Sequence, residues 1–522
     1  MKLPPGILTL PPGSRRLYLV CAHLALGASL WGYNIGILSS VLIHPGWRTA
    51  LHQPTPSQKG LVTGIYYLGT LLSYLFLSHP LADWLGRRHA ALVGTVVLSM
   101  GAVVMAATQD GAVGVMVLGR WLCGVGVGVV STGVPLYQSE ISPARERGKF
   151  VTMNHVGFIT GLAAGLWVGY AMTYWTGPAG EYWGWRVSIL LQLLPALIFA
   201  SGLPFLPESP RWLVENGQTE RARAILHSLR DTSYPRAATA AEFRAIASDV
   251  SRRRRRSFTS LSLSLVREPA LRARLWRAFL LQFMAQMCGA TAMKYYLPTL
   301  LKALGVEPRV ALMAGAAEMT GKIGMTVLEM WLIDRVGRRT CLVGGSVVMG
   351  IAMLINGALP LAYPNNANKA ADVICIIFIF VYAMGYSLGL GPAAWVYSSE
   401  IFPTSVRARG LNFAASGGSI GSILVSQIWP VGIARYGNGI YFFFALVNLI
   451  CVPVIWFLYP ETKGRALEDM DAIFGAPKND DRAVMLGDGF DEDGVLDGGD
   501  GRDDDDESRG EAAEEDAPLL EQ

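Results

Sequence analysis

The sequence predicts an all-α membrane protein with 12 transmembrane helices in two six-helix halves. Three observations carry this. Of 522 residues, 52% are hydrophobic and only 16% charged, with a mean hydropathy of +0.35, whereas soluble chains carry about 25% charged residues. Twelve apolar segments recur along the chain, each long enough to cross roughly 30 Å of hydrocarbon as a helix and too long for the roughly ten-residue strands of a membrane barrel. Three motifs from the first half return in the second. Together these exclude a soluble enzyme, a nucleic-acid binder and a disordered scaffold.

Residues 1–17 form a Pro-rich, basic N-terminus without the pattern of a cleavable signal peptide. The first half occupies 18–206, with apolar cores at 18–43, 60–81, 90–108, 112–136, 151–173 and 186–206. A polar central loop with short helices follows over 207–276 and holds the run Arg252–Arg256. This run reads as a solvated, topology-setting face, or as a contact with anionic lipid. The second half occupies 277–459, with cores at 277–300, 310–332, 341–360, 371–396, 411–433 and 439–459. The last section, 460–522, becomes acidic and Gly-rich after about residue 477, with 18 Asp/Glu against 4 Lys/Arg from Pro477 onward, and reads as disordered. Lys/Arg gather in one set of short loops: Arg87 and Arg88, Arg145 to Lys149, Arg335 to Arg339, Arg407 and Arg409. The positive-inside rule makes that side cytoplasmic and, with an even number of spans, both termini too.

Asp83-Trp-Leu-Gly-Arg-Arg88 returns 251 residues later as Asp334-Arg-Val-Gly-Arg-Arg339. Tyr137-Gln-Ser-Glu-Ile-Ser-Pro143 returns after 260 residues as Tyr397-Ser-Ser-Glu-Ile-Phe-Pro403, and Pro207-Glu-Ser after 253 as Pro460-Glu-Thr. All six fall at cytoplasmic ends, as in two parallel six-helix repeats. Arg can fork onto a carboxylate, so Glu140 is expected to pair with Arg147 and Glu400 with Arg407. Arg87, Arg88, Asp334, Arg338 and Arg339 complete an expected cytoplasmic gate that holds the halves together while the opposite side is open. The bland alternative is charge that only sets topology.

These motifs resemble the sugar porter family of the major facilitator superfamily, over about residues 18–475, and the central loop resembles that of fungal members. The matches include Gly32-Tyr-Asn34, Gly86-Arg-Arg88, Gly119-Arg120, Tyr137 to Gly148, Trp185-Arg186, Gln192 and Pro195. They continue with Pro207-Glu-Ser-Pro-Arg211, Gln282-x3-Gln286-x2-Gly289-x5-Tyr295-Tyr296, Gly391-Pro392-x2-Trp395-x4-Glu400 and Pro460-Glu-Thr-Lys-Gly464. The resemblance implies the major facilitator fold, adds Arg211 to the gate, and implies a central polar cavity. It points to Gln282, Gln286 and Trp395 as substrate-binding. At further family substrate positions this chain departs: His155 and Thr291 stand where amides are usual, Ala285 replaces one Gln of a pair, Lys322 replaces an Asn of the eighth helix, and Gly418 one of the eleventh. Each sugar hydroxyl both donates and accepts, so these losses weaken a hexose assignment. Proton-driven relatives pair a first-helix Asp with a fourth-helix Arg; here the coupling position holds Asn34 with Arg120, which favours facilitated diffusion.

Lys294, Glu318, Lys322 and Glu329 lie within apolar segments and should face the protein interior. Glu318 and Lys322 are four apart and able to pair on one helix face; the other reading has Lys322 or Lys294 receive a substrate carboxylate. His155 reads as a hydrogen-bond donor or a titrating group. No catalytic constellation, metal-ligand cluster or cofactor motif stands out, and the Cys residues read as packing. The expectation is a carrier of a small hydroxylated solute, a monosaccharide or polyol, working by alternating access. The alternatives are a carrier of a hydroxy acid such as quinate or a uronate, and a non-transporting nutrient sensor. The expected address is the plasma membrane. Glu515 ahead of Leu519-Leu520 fits an acidic dileucine that would bind a sorting adaptor and send the protein to a vacuolar or endosomal membrane; an inert solubilising tail is the competing reading.

Overall fold

The computed structural model of the chain describes residues 13–143, 147–230, 236–254, 267–402, 406–463 and 474. The chain divides into Met1–Ala476 and Pro477–Gln522; the second unit, with Leu519 and Leu520, lies outside the described residues. So do the side chains of Arg147 and Asp334.

The first half opens with α1 (Ser14–Val41) and a short α2 (Pro45–Ala50). The second span is α3 (Pro56–Leu72), which passes through one π turn (Ser73–Leu77) into α4 (Ser78–Leu85). The third to fifth spans are α5 (Arg87–Ala106), α6 (Val113–Ile141) and α7 (Arg147–Met172). The sixth is α8 (Pro178–Leu190) continued by α9 (Leu193–Gly202). Between the halves lie α10 (Pro210–Glu215), α11 (Thr219–Leu229) and α12 (Arg236–Arg254). The second half holds α13 (Pro269–Met287) and α14 (Ala290–Ala303) as a broken seventh span, then α15 (Pro308–Val336) and α16 (Arg338–Ala362). A broken tenth span, α17 (Lys369–Leu388) and α18 (Pro392–Glu400), precedes α19 (Arg407–Tyr436) and α20 (Ile440–Leu458). Many of these helices begin on Pro, whose missing N–H costs nothing in the first turn. Thr55 adds a reciprocal capping box with Gln58 at the start of α3.

Among the described residues, nine helical stretches are long and apolar enough to cross a membrane, and one of them, Arg409–Leu458, contains both α19 and α20. The seventh and eighth segments fall outside that set. Arg272, Arg274 and Arg277 open α13, and α15 carries Glu318, Lys322 and Glu329. The twelve apolar segments of the sequence are all helical. The helix that holds the seventh segment begins at Pro269, eight residues ahead of its apolar core, and there Leu271, Arg274 and Leu275 turn inward, with the buried Arg274 donating to Ile401 O at 3.3 Å.

The packing repeats with the sequence. α1 lies along α7 as α13 lies along α19, and α5 pairs with α6 as α16 pairs with α17. In the first of these contacts the backbones touch: a Cβ on Gly32 would stand 1.9 Å from Phe158 O, and one on Gly161 2.0 Å from Ser29 O. Small residues permit such approach where lipid supplies no hydrophobic drive between helices. The halves meet chiefly where α3 runs against α19 and α7 against α15.

Candidate functional site

The three repeated motifs converge into one network in each half. In the first, the Arg87 guanidinium forks onto Glu140, both contacts at 2.9 Å, and Ser209 Oγ donates to the same carboxylate at 2.6 Å. Glu208 accepts from the N–H groups of Arg87 (3.1 Å) and Ser209 (2.9 Å), and Tyr137 OH donates to Pro207 O. Burial pushes the Glu208 carboxyl above its ordinary range, against the pull of those N–H groups and the Arg88 charge. In the second half Arg338 reaches Glu400 (2.9 Å), Thr462 Oγ1 donates to Glu400 (2.7 Å), Glu461 accepts from the N–H of Arg338 (2.9 Å), and Tyr397 OH donates to Pro460 O (3.1 Å). Gly86 and Gly337 sit at φ +89° and +104°, where a Cβ would stand 2.7 and 2.6 Å from the Glu208 and Glu461 carboxylates. Only Gly allows these carboxylates to cap the N-termini of α5 and α16.

The described partners of Glu140 and Glu400 are Arg87, which forks, and Arg338, which meets one Glu400 oxygen through Nε and Nη2. The side chain of Arg147, the partner expected for Glu140, lies outside the described residues, and Arg407 donates to Phe402 O at 3.2 Å. Helix α5 brings its N-terminal Arg beside the C-terminal turn of α6. Arg88 donates to Pro204 O and Leu206 O at the end of the sixth span, and Arg339 donates to Trp456 O while stacking on the Trp456 ring at 4.0 Å. Arg211 lies 3.8 Å from Glu215 on α10. Each of these contacts stays within one half. Asp83 comes within electrostatic reach of Arg409 on α19, in the other half.

On the face opposite the basic loops, polar side chains bridge the halves. Thr63 meets Tyr296 OH at 3.1 Å, Gln427 donates to Ser57 at 2.9 Å, and Trp167 donates to Thr320 at 3.0 Å. Thr70 meets Ser419 at 2.9 Å deeper in. Arg120 is buried, and among the described residues no carboxylate pairs with it. It donates to Asn34 Oδ1 (2.5 Å), Val62 O (3.3 Å) and Tyr295 OH across the interface (3.2 Å), and lies 4.5 Å over the Tyr66 ring. Asn34 Nδ2 donates in turn to Gln192 Oε1 at 2.9 Å.

The seventh span breaks at Gly289, φ +105°, inside what the sequence presents as one apolar run. The freed Cys288 carbonyl accepts from Tyr382 OH (3.1 Å) and Asn448 Nδ2 (2.9 Å), so the tenth and twelfth spans cap the break. Thr291 just beyond it is fully buried and tied to Gln286 and Ser422, both at 3.1 Å. Gln282 is buried, with Nε2 lacking a hydrogen-bond partner. Trp395, at 37% exposure, is the open member of the expected substrate set.

Beside the break lies a cavity of about 20 Å³ lined by Lys294 of α14, Glu318 and Lys322 of α15, and Tyr382 and Tyr386 of α17. Both ammonium groups lie over the Tyr386 ring, Lys294 at 5.2 Å and Lys322 at 5.1 Å. Glu318 Oε2 is buried without a hydrogen-bond partner, so the expected pair with Lys322 does not close on that oxygen. His155, from α7 in the other half, packs near Phe158 and lies within electrostatic reach of both lysines. Sequence reasoning missed Tyr382, Tyr386 and Asn448. Their signal, Tyr or Asn inside very apolar helices, has meaning only once the break is seen.

The model of the family described as "Sugar (and other) transporter" matches residues 20–474. The chain is 30% identical over 491 residues to polyol transporter 5 of Arabidopsis thaliana, covering 90% of this chain and 89% of that one. It is 29% identical over 479 residues to the quinate permease of Neurospora africana, covering 88% and 89%. Its fold matches the partially occluded, inward-open structure of the xylose transporter XylE from E. coli with TM-score 0.73 at 23% identity, over 86% of this chain and 99% of that one.

Proposed function

The chain belongs to the sugar (and other) transporter family, and we propose that this membrane transporter, which is no enzyme, carries a monosaccharide or polyol by alternating access of its two halves. The observation that carries the reading is the position of the candidate site. Polar and charged groups of the broken seventh span, the eighth, the tenth and the fifth converge where the halves meet. Above them the opposite face is bridged by neutral hydrogen bonds that can open and reform. In this reading the face with the basic loops is cytoplasmic, and the Arg87–Glu140 and Arg338–Glu400 networks brace each half as it rocks. Gln282, Gln286 and Trp395 meet the solute. Asn34 in place of an acid makes the movement facilitated diffusion.

Uptake of radiolabelled hexoses, pentoses, polyols and hydroxy acids by purified protein in liposomes tests this. Saturable uptake separates a carrier from a nutrient sensor on the same fold, and a sensor is the outcome if binding occurs without uptake. We place the carrier at the plasma membrane. An N-terminally tagged Leu519→Ala, Leu520→Ala variant that stays at the surface, while the native protein is internalised, would assign the dileucine to an adaptor.

A further inference from the structure

Lys294 is the group that the hexose or polyol reading leaves unused. It lies on α14 in the part of the span freed by the Gly289 break, and its ammonium is 5.2 Å from the centroid of Tyr386. Among the described residues no carboxylate comes within ion-pair distance of it. The charge that it does feel is that of Lys322, a second cation over the same ring. Among the described side chains lining the cavity the one acid is Glu318, which interacts with Lys322. Two basic groups thus stand over one ring with one described acid beside them, an arrangement that a further anion, missing among these groups, would stabilise.

We infer that the missing anion is a carboxylate on the transported solute. The cavity holds about 20 Å³, space for about one water-sized group and not for a sugar ring. That is the size of a carboxylate oxygen, with the ring or chain of the solute left in the cleft between the halves. Lys294 donates to the carboxylate, and Glu318 keeps Lys322 neutralised in the empty carrier on its return. His155, from the other half, lies within electrostatic reach of both lysines, so an anion bound here stands close to the boundary between the halves. The inference rests on the carrier reading above and replaces its neutral solute by a polyhydroxylated monocarboxylate. Charge-assisted hydrogen bonds are roughly twice as strong as neutral ones, so the acid is favoured over its neutral counterpart.

The test uses matched solutes that differ in the carboxylate: glucuronate against glucose, and gluconate against sorbitol, with full-length protein in proteoliposomes. The acid of at least one pair is expected to show a half-saturation concentration about tenfold or more below that of its neutral partner. An inside-positive potassium diffusion potential should accelerate uptake of the acid and not of the neutral partner. Lys294→Gln should bring the acid-to-neutral ratio close to one. If the neutral partner is preferred or equal in both pairs, Lys294 is a structural cation and the inference falls while the carrier reading stands. Uptake of none of the four overturns the inference, and the wider panel above then decides the carrier reading. The native pairs decide the matter even where the Lys294 variant fails to assemble.

Discussion

Replacing Tyr295 and Tyr296 together by Phe should push the carrier toward the state open on the face opposite the basic loops. Tyr296 OH holds Thr63 of the other half at 3.1 Å, and Tyr295 OH accepts from the buried Arg120 at 3.2 Å. The first is a neutral hydrogen bond worth about 1 kcal/mol net, and the second involves a charged donor worth roughly 1.5–3 kcal/mol. The side chains keep their rings, so packing is largely retained. Arg120 stays anchored by Asn34, Val62 O and the Tyr66 face, so no buried charge is orphaned. The combined loss of about 3 kcal/mol corresponds to a roughly 100-fold rise in the ratio of open to closed on that face. Spin labels at Gln53→Cys and Ala434→Cys, exposed positions flanking the second and eleventh spans, report the separation. The six native Cys are buried and should not compete for label. A distance distribution unchanged in the double Phe variant would refute the claim that these hydroxyls seal the face.

The two bracing networks should differ in weight. The Arg87 and Glu140 side chains are each 5% exposed, against 12% and 26% for Arg338 and Glu400. Arg87→Ala should therefore lower stability by about 3–5 kcal/mol, as expected when a buried carboxylate loses its partner, and Arg338→Ala by less; thermal unfolding in detergent with the reverse order would contradict this. Uptake should persist in a protonophore because Arg120 donates to the amide oxygen of Asn34 where an acid would stand in a proton-coupled pair; collapse of accumulation would direct attention to His155 or Glu318. Gln286→Ala should raise the half-saturation concentration roughly tenfold, the equivalent of one hydrogen bond or slightly more. Because Gln286 also braces Thr291 at 3.1 Å, Thr291→Val serves as the comparison, and an equal rise in both would assign the effect to the brace.

Much of the fold was legible in the sequence because hydropathy and repetition are properties of one chain read in order. The limits show where structure depends on distant neighbours. Spacing points from Glu140 to Arg147, seven residues away, and is silent on Arg87, 53 residues earlier, whose fork reaches Glu140 because two helix ends meet there. The break at Gly289 is silent in the apolar run, since the groups that satisfy it, Tyr382 and Asn448, lie 94 and 160 residues later. The seventh and eighth spans are the least apolar of the twelve. Arg272, Arg274 and Arg277 lower the seventh, whereas Glu318 and Lys322, which lower the eighth, line the cavity.

The distribution of bond strengths argues for how the molecule moves. Within each half, three motifs collapse onto one carboxylate through charge-assisted, mostly buried contacts, Arg87 to Glu140 in the first and Arg338 to Glu400 in the second. Across the interface the described links are largely hydroxyl and amide pairs, Thr63 with Tyr296, Thr70 with Ser419, Ser57 with Gln427. Such neutral pairs exchange with water at about 1 kcal/mol each, while breaking a buried fork costs about 3–5 kcal/mol. A displacement that separates the halves thus breaks weak contacts and leaves the strong ones intact. The halves would then move as bodies about a site at their boundary, and a solute held there, as proposed, by Lys294 of one half near His155 of the other would couple its own binding to that motion.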